Sequence, residues 1–224
     1  MTGASEDGGG GAFAGPDSPG PDPLADDPRV AVFFGARYSA VAGFTGLLRE
    51  LGPERGLVGP RELNRLWERH ILNSAAVVPF LPAGTVADVG SGAGLPGLVI
   101  AAMEPKREVV LIEPMERRAT WLGEVSGLLG LKNVRVIRAR AEDVRGVGVR
   151  AVTARAVAPL AKLVRWCAPL AGAEGEMLFL KGRSAVAEVE AAQAVIARAG
   201  FHAEVMEAPT LEGLAPTTVV RLSR

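Results

Sequence analysis

Asp88-Val89-Gly90-Ser91-Gly92-Ala93-Gly94-Leu95-Pro96-Gly97 is the stretch on which the fold of this 224-residue chain turns. It follows a short apolar run, Val86–Val89, and leads into Leu98–Met103, so it reads as a strand, a glycine-rich turn and a helix. The glycines permit backbone torsions and a close ligand approach that a Cβ would block. The first amides of the following helix favour a negatively charged group. Downstream, strands expected at Val109–Ile112, Val134–Ile137, Ala151–Ala154 and Met177–Leu180 alternate with helices near Glu116–Leu129, Leu160–Leu170 and Ala185–Ala199. That alternation predicts an α/β doubly wound, Rossmann-like sheet, mostly parallel and covered on both faces. His202–Glu207 and Thr217–Leu222 are separated by too few residues for a helix and read as an antiparallel C-terminal hairpin completing the sheet.

Upstream the periodicity differs. Val30, Phe33/Phe34, Val41, Phe44, Leu47/Leu48 and Leu51 recur near 3.6 residues, which predicts an amphipathic helix weakened by Gly35, Gly43 and Gly46. A Gly/Pro loop follows, then a second helix with Pro60 in its first turn. Arg61, Arg65 and Arg69 fall at i, i+4 and i+8, one row along that helix, partly paired with Glu62 and Glu68. Residues 1–28 hold seven Gly, five Pro and six acids without a Lys or Arg, a composition that predicts a disordered acidic tail. The expected organisation is thus a tail over 1–28, a helical segment over 29–82 and the sheet domain over 83–224.

Basic and acidic residues balance at 25 each, but outside the tail 25 basic face 19 acidic residues. That surplus of +6 points weakly to nucleic acid; the tail reads first as inert, with competition for the same basic face as the alternative. One cysteine, Cys167, excludes an intramolecular disulfide framework. Two histidines, His70 and His202, with no suitable cysteine leave no expected metal site. No run was expected to reach the roughly 18 apolar residues of a membrane helix, and Arg29, the first basic residue, comes too late for a signal peptide. A cytoplasmic monomer follows as the expectation.

Gly92-x-Gly94-x-x-Gly97 formally satisfies the dinucleotide fingerprint. Asp88, two residues before the first glycine, argues otherwise: its carboxylate would repel a pyrophosphate and attract the ammonium and sulfonium of S-adenosyl-L-methionine. Glu113 ends the second strand, 19 residues after Gly94, where an acid can accept hydrogen bonds from both ribose hydroxyls. Ala141-Glu142-Asp143 follows the third strand, where a small residue and an acidic loop can flank an adenine. Arg155 and Lys181 lie near the carboxyl ends of the fourth and fifth strands, the ligand edge of such sheets. Arg155 suits the cofactor or a guanine O6, while Lys181 by itself reads as an ordinary sheet-edge cation. With Arg37, the Arg61/Arg65/Arg69 row would line an RNA track. Cys167 lies mid-helix and reads as core, which disfavours cytosine C5 methylation. Arg155-Ala-Val-Ala-Pro159 stands where amine methyltransferases carry Asn/Asp-Pro-Pro-aromatic. His70 reads as a core histidine.

Arg69-His70-Ile71-Leu72-Asn73-Ser74, the glycine loop with its Gly-Leu-Pro-Gly ending, Ala141-Glu142, Arg155-Ala156-Val157-Ala158 and Leu180-Lys181-Gly182 occur in that order. In these blocks the chain from about Arg61 to Leu180 resembles the RsmG (GidB) family. The resemblance implies a class I S-adenosylmethionine-dependent methyltransferase acting on N7 of a guanine in 16S ribosomal RNA, in the 530-loop of the decoding region, free or within the small ribosomal subunit. It implies cofactor contacts at Gly90, Leu95, Ala141, Glu142 and Arg155, to which the charge argument adds Asp88, Gly92, Gly94 and Glu113. Only the resemblance gives Lys181 a nucleotide phosphate to hold. The Trp-Asn and Asn-Leu-Thr pieces common in relatives are missing around Tyr38–Thr45. An assembly factor that keeps the fold without turnover is the alternative class, and a nicotinamide-dependent reductase a third, disfavoured by Asp88.

Overall fold

A computed structural model describes residues 20–224. Its centre is a seven-stranded sheet of order β3-β2-β1-β4-β5-β7-β6. The strands are β1 (Val86–Val89), β2 (Val109–Ile112), β3 (Val134–Ile137), β4 (Val149–Arg155), β5 (Ala171–Lys181), β6 (His202–Ala208) and β7 (Thr217–Ser223). The first five are parallel; β7 runs antiparallel to both β5 and β6. The expected doubly wound sheet and its C-terminal hairpin are both present.

Successive residues of the inner strands feed two different cores. Val86, Val109, Leu111 and Leu178 face one side, packed by the N-terminal helices, α4 (Gly97–Met103) and α5 (Glu116–Leu128). Ala87, Val110, Ile112 and Phe179 face the other, packed by α6 (Leu160–Cys167) and α7 (Ala185–Arg198). Burial on both faces explains why β1 and β2 are almost uninterrupted apolar runs rather than alternating ones. The order reverses between β1 and β4, and a crevice opens there beyond the strand ends.

The N-terminal segment departs from the sequence reading. The helix expected from Val30 to Leu51 is two: α1 (Pro28–Phe34) stops at Gly35, whose φ of 51° an L side chain rarely adopts, and α2 (Tyr38–Leu51) restarts after one 3-10 turn. By length and hydropathy Pro28–Leu51 is the one segment, among the described residues, that matches a membrane span, contrary to the expectation of none. In the fold Val30, Phe34, Val41, Phe44 and Leu48 are buried in the core. The second helix is irregular: a 3-10 stretch over Pro60–Arg65, a π-helix over Trp67–Leu72, then α3 (Asn73–Ala75). A 3-10 stretch has three residues per turn and a π turn is wider than α, so a spacing of four no longer marks one face. The expected partial pairing is nonetheless present, Arg65 with Glu68 (3.3 Å) and Arg69 with Glu62 (3.0 Å), and Arg37, Arg61, Arg65 and Arg69 are all exposed.

The acidic tail also differs where it is described. Leu24 and Asp22 are buried, and Asp22 accepts hydrogen bonds from the Trp67 and Leu24 amides at 2.9 and 3.1 Å. Residues 20–27 are thus a folded strap rather than disordered chain; residues 1–19 lie outside the described residues. Residues 29–82 and the sheet share one continuous core.

Candidate active site

The glycine loop leaves β1 and is tied down on every side. Gly90 N–H donates to the Ile112 carbonyl, Ser91 Oγ to the Asp88 carbonyl, and the Trp121 indole N–H to the Ala93 carbonyl at 3.0 Å. Gly90, Gly92 and Gly94 all have positive φ. Gly97 answers a different need: a Cβ there would stand 2.3 Å from Leu111 Cδ2 and 2.6 Å from Asp88 Oδ2, so its absence lets α4 sit against β1 and β2.

Asp88 is wholly buried and its side chain lies on the α4 side of β1. Its Oδ2 accepts the Gly97 N–H at 3.0 Å, an acceptor the start of α4 otherwise lacks. Burial pushes its pKa up to about 7, the Gly97 bond opposing this. Oδ1 has no partner within the protein. Asp88 therefore sits beneath the loop rather than in the wall of the cleft above it.

That cleft, of about 610 Å³, is lined by Gly90, Gly92, Leu95, Glu113, Ala141, Glu142 and Arg155 from the sequence-derived set. Glu113 is buried; its two oxygens accept the Gly92 and Met115 amides, each at 2.9 Å, which fixes the carboxylate under the mouth of the loop. Ala141 opens a 3-10 turn after β3, and Glu142 stands exposed beside it. Gly94 does not line the cleft, and its missing Cβ makes room for Leu98.

Arg155, at the end of β4, is the hinge of the site. A second groove of about 910 Å³ lies on its far side, with Arg65, Arg69, Asn73 and Lys181 in its walls, and Arg155, Ala156 and Val157 are common to both spaces. Ala156 has φ 54°, the one positive value among the described non-glycine residues. A strained backbone at this place is held by its surroundings. Lys181 Nζ donates to the Ala158 carbonyl (2.9 Å) and pairs with Glu188 (2.7 Å). Burial works against ionisation of Glu188, but the bonds from Lys181 and the Leu160 amide outweigh it and hold its carboxyl below the usual range. Lys181 thus staples the 156–160 segment to α7 from within the second groove.

Arg155 Nη1 donates to the Arg69 carbonyl (3.1 Å) and Asn73 Oδ1 (3.5 Å), and Nη2 meets His70 Nδ1 at 3.0 Å. A guanidinium can only donate, so Nδ1 accepts and the ring proton is on Nε2, which donates to Glu62 Oε2 at 3.0 Å. Burial, then the neighbouring Arg155 charge, hold the His70 pKa below its ordinary value, so the ring is neutral near pH 7. Burial also lowers Arg155, to about 10, which leaves it charged. Its Nε is buried with no partner within the protein. The sequence reading missed this Glu62–His70–Arg155 chain by assigning His70 to the core. The available signal was the spacing of His70 and Asn73, three residues apart and both reaching the same guanidinium.

The remaining sequence-derived residues are dispersed. Arg65 and Arg69 border the second groove, whereas Arg37 and Arg61 line neither space. Cys167 is buried within the α6 core, and that burial pushes its thiol up, as the core reading requires. Among the described residues no group of three or more His, Cys, Asp or Glu could hold a metal ion.

Comparison with known proteins places this geometry. Among solved structures the chain is similar to a SAM-dependent methyltransferase from Aquifex aeolicus (TM-score 0.52, 19% identity, covering 69% of this chain and 91% of that one). It is also similar to TYW2 of M. jannaschii in complex with AdoMet (TM-score 0.51, 18% identity, 70% and 75% covered). These likenesses show the class I methyltransferase fold. In sequence it is 46% identical over 208 residues to ribosomal RNA small subunit methyltransferase G of Clavibacter michiganensis subsp. michiganensis, covering 91% of this chain and 98% of that relative. The protein of the same name from Beutenbergia cavernae is 54% identical over 160 residues, covering 70% and 76%. The family model described as rRNA small subunit methyltransferase G matches residues 37–212, which include the first cleft, most of the second and the arginine between them, and the chain belongs to that GidB family.

Proposed function

We propose that this member of the family transfers a methyl group from S-adenosyl-L-methionine to N7 of a guanine in 16S ribosomal RNA, in the decoding region, with the donor in the cleft above the glycine loop and the RNA entering by the second groove. The observation that carries the reading is the wall Arg155–Ala156–Val157, shared by the two spaces. A donor on one side and a base on the other would meet across it.

The residues of the first cleft fit that donor. Glu113 is placed for ribose hydroxyls, the Pro114–Met115 and Ala141–Glu142 segments for an adenine, and the orphaned Arg155 Nε for a carboxylate. Asp88 lies behind the loop with Oδ1 unpartnered, and above about pH 7, where it ionises, its charge favours a cationic amino acid over a pyrophosphate. When bound, the donor supplies an electrophilic methyl on sulfur. The chain supplies alignment and the exclusion of water. Guanine N7 carries an in-plane lone pair and no proton, so its attack needs no general base. This agrees with a wall whose one histidine has both nitrogens engaged, by Arg155 and Glu62. In this reading the fork of Arg155 also reaches the guanine O6, and Arg65 and Arg69 grip the flanking phosphates. Lys181 acts by holding the segment after Arg155.

Borohydride/aniline scission of 16S rRNA tests the assignment. Small subunits lacking the modification, incubated with protein and donor, should gain one cleavage, and Arg155→Ala should lose it by roughly ten- to hundredfold. Methyl label incorporated into the rRNA without a new cleavage would leave the methyltransferase standing and remove N7.

A further inference from the structure

We propose that His70 is a positioning residue for methyl transfer: its neutral ring holds the Arg155 guanidinium at the wall between the two clefts, and protonation of the ring releases it. The inference rests on the reading of Arg155 as a contact of the donor or the guanine.

The geometry leaves Nδ1 a single role. It stands 3.0 Å from Arg155 Nη2, a distance that requires an acceptor opposite the guanidinium donor. Nε2 is committed to Glu62, so the tautomer is fixed by a carboxylate on the far side of the ring. His70 comes from the π-helix, Glu62 from the preceding 3-10 stretch and Arg155 from β4. One imidazole thus joins the N-terminal segment to the strand end where chemistry is expected. A proton arriving at Nδ1 would set N–H against N–H and one positive charge against another. The contact would break, leaving Arg155 with the Arg69 carbonyl and the longer bond to Asn73.

The charges around the ring set where this happens. Glu62 favours protonation; Arg155 and Arg69 oppose it, as does burial, and the balance lies below the ordinary histidine value. Glu68 is turned away to Arg65. Asp88, on β1 beyond Arg155, acts on the guanidinium rather than on the ring. The site is therefore assembled near neutral pH and comes apart on acidification.

The test compares wild type, His70→Ala, His70→Gln and His70→Asn for donor affinity and for kcat/KM on small subunits, between pH 5.5 and 8. Asn places an amide oxygen where Nδ1 stood and does not titrate; Gln reaches toward Glu62 instead. His70→Ala and His70→Gln should lose roughly ten- to hundredfold in kcat/KM at pH 7.5, as expected for a lost bond to a charged group. His70→Asn should rescue most of that loss. Any titration of Asp88 is common to all four proteins, so the ratio of wild type to His70→Asn isolates the imidazole. That ratio should be flat above pH 7 and fall toward tenfold per pH unit in acid. A flat ratio throughout overturns the proposal, as does His70→Asn no better than His70→Ala when thermal melts show both folded. A wild type that neither binds the donor nor methylates at pH 7.5 would instead defeat the function proposed above.

Discussion

Asp88 is a fully buried carboxyl group with one amide to hold. Its pKa near 7 is raised above the ordinary carboxylate value of about 3.9, so its neutral form is favoured in the folded state. Its contribution to stability is fully present below that ordinary value and is lost as pH rises through about 7. Wild-type Tm should therefore decline between about pH 4 and 7 relative to Asp88→Asn, whose amide oxygen can still accept the Gly97 N–H, and run parallel to it above that range. Tm profiles already parallel within that range would show that Asp88 does not titrate there. Placing the residue beside the glycine loop needed only its position in the chain. Its orientation, beneath the loop toward α4, depends on Gly97 leaving space for it, which is a packing fact.

At the scale of elements, the regular and irregular parts of the chain were unequally legible. The bounds of β1, β2 and β3 coincide with the apolar runs that predict them, and α5 and α7 end within a residue of expectation. Burial on both faces leaves β1 and β2 little freedom in where they start, whereas β3, at the sheet edge, takes its register from β2. The 60–75 segment defeats the same reasoning because its 3-10 and π turns are selected by what they dock onto. One such contact is Asp22, which binds the Trp67 amide, the Leu24 amide and, at 3.5 Å, Arg49. Asp22→Ala would leave the buried Trp67 N–H unpaired and should cost about 1–3 kcal/mol in urea or guanidinium unfolding. The substitution should also weaken donor binding, since the same segment carries His70. A stability change within a few tenths of a kcal/mol would show the strap to be incidental.

For the whole molecule, neutrality conceals a basic body, and the fold decides where that charge is useful. Arg65 and Arg69 border the second groove, while Arg37 and Arg61, equally basic in sequence, are displaced from it. Reversing Arg65 and Arg69 to Glu should weaken RNA binding and reduce the slope of log K against log salt by about 1–2. Reversing Arg37 and Arg61 should do distinctly less. Equal losses in the two double variants would argue for diffuse attraction rather than a track.

The division between chain and fold has a physical basis. Periods of 2 and 3.6, glycines where the backbone must turn and a lone acid before them are local properties. They sufficed for the doubly wound sheet, the cleft above the loop and seven of the residues that line it, because each follows from neighbouring residues. The meeting of Glu62, His70 and Arg155 joins residues up to 93 positions apart. It exists because a wide helical turn is pressed against the open end of β4. Contacts of that kind arise only when separate elements share a core, and no local pattern records them.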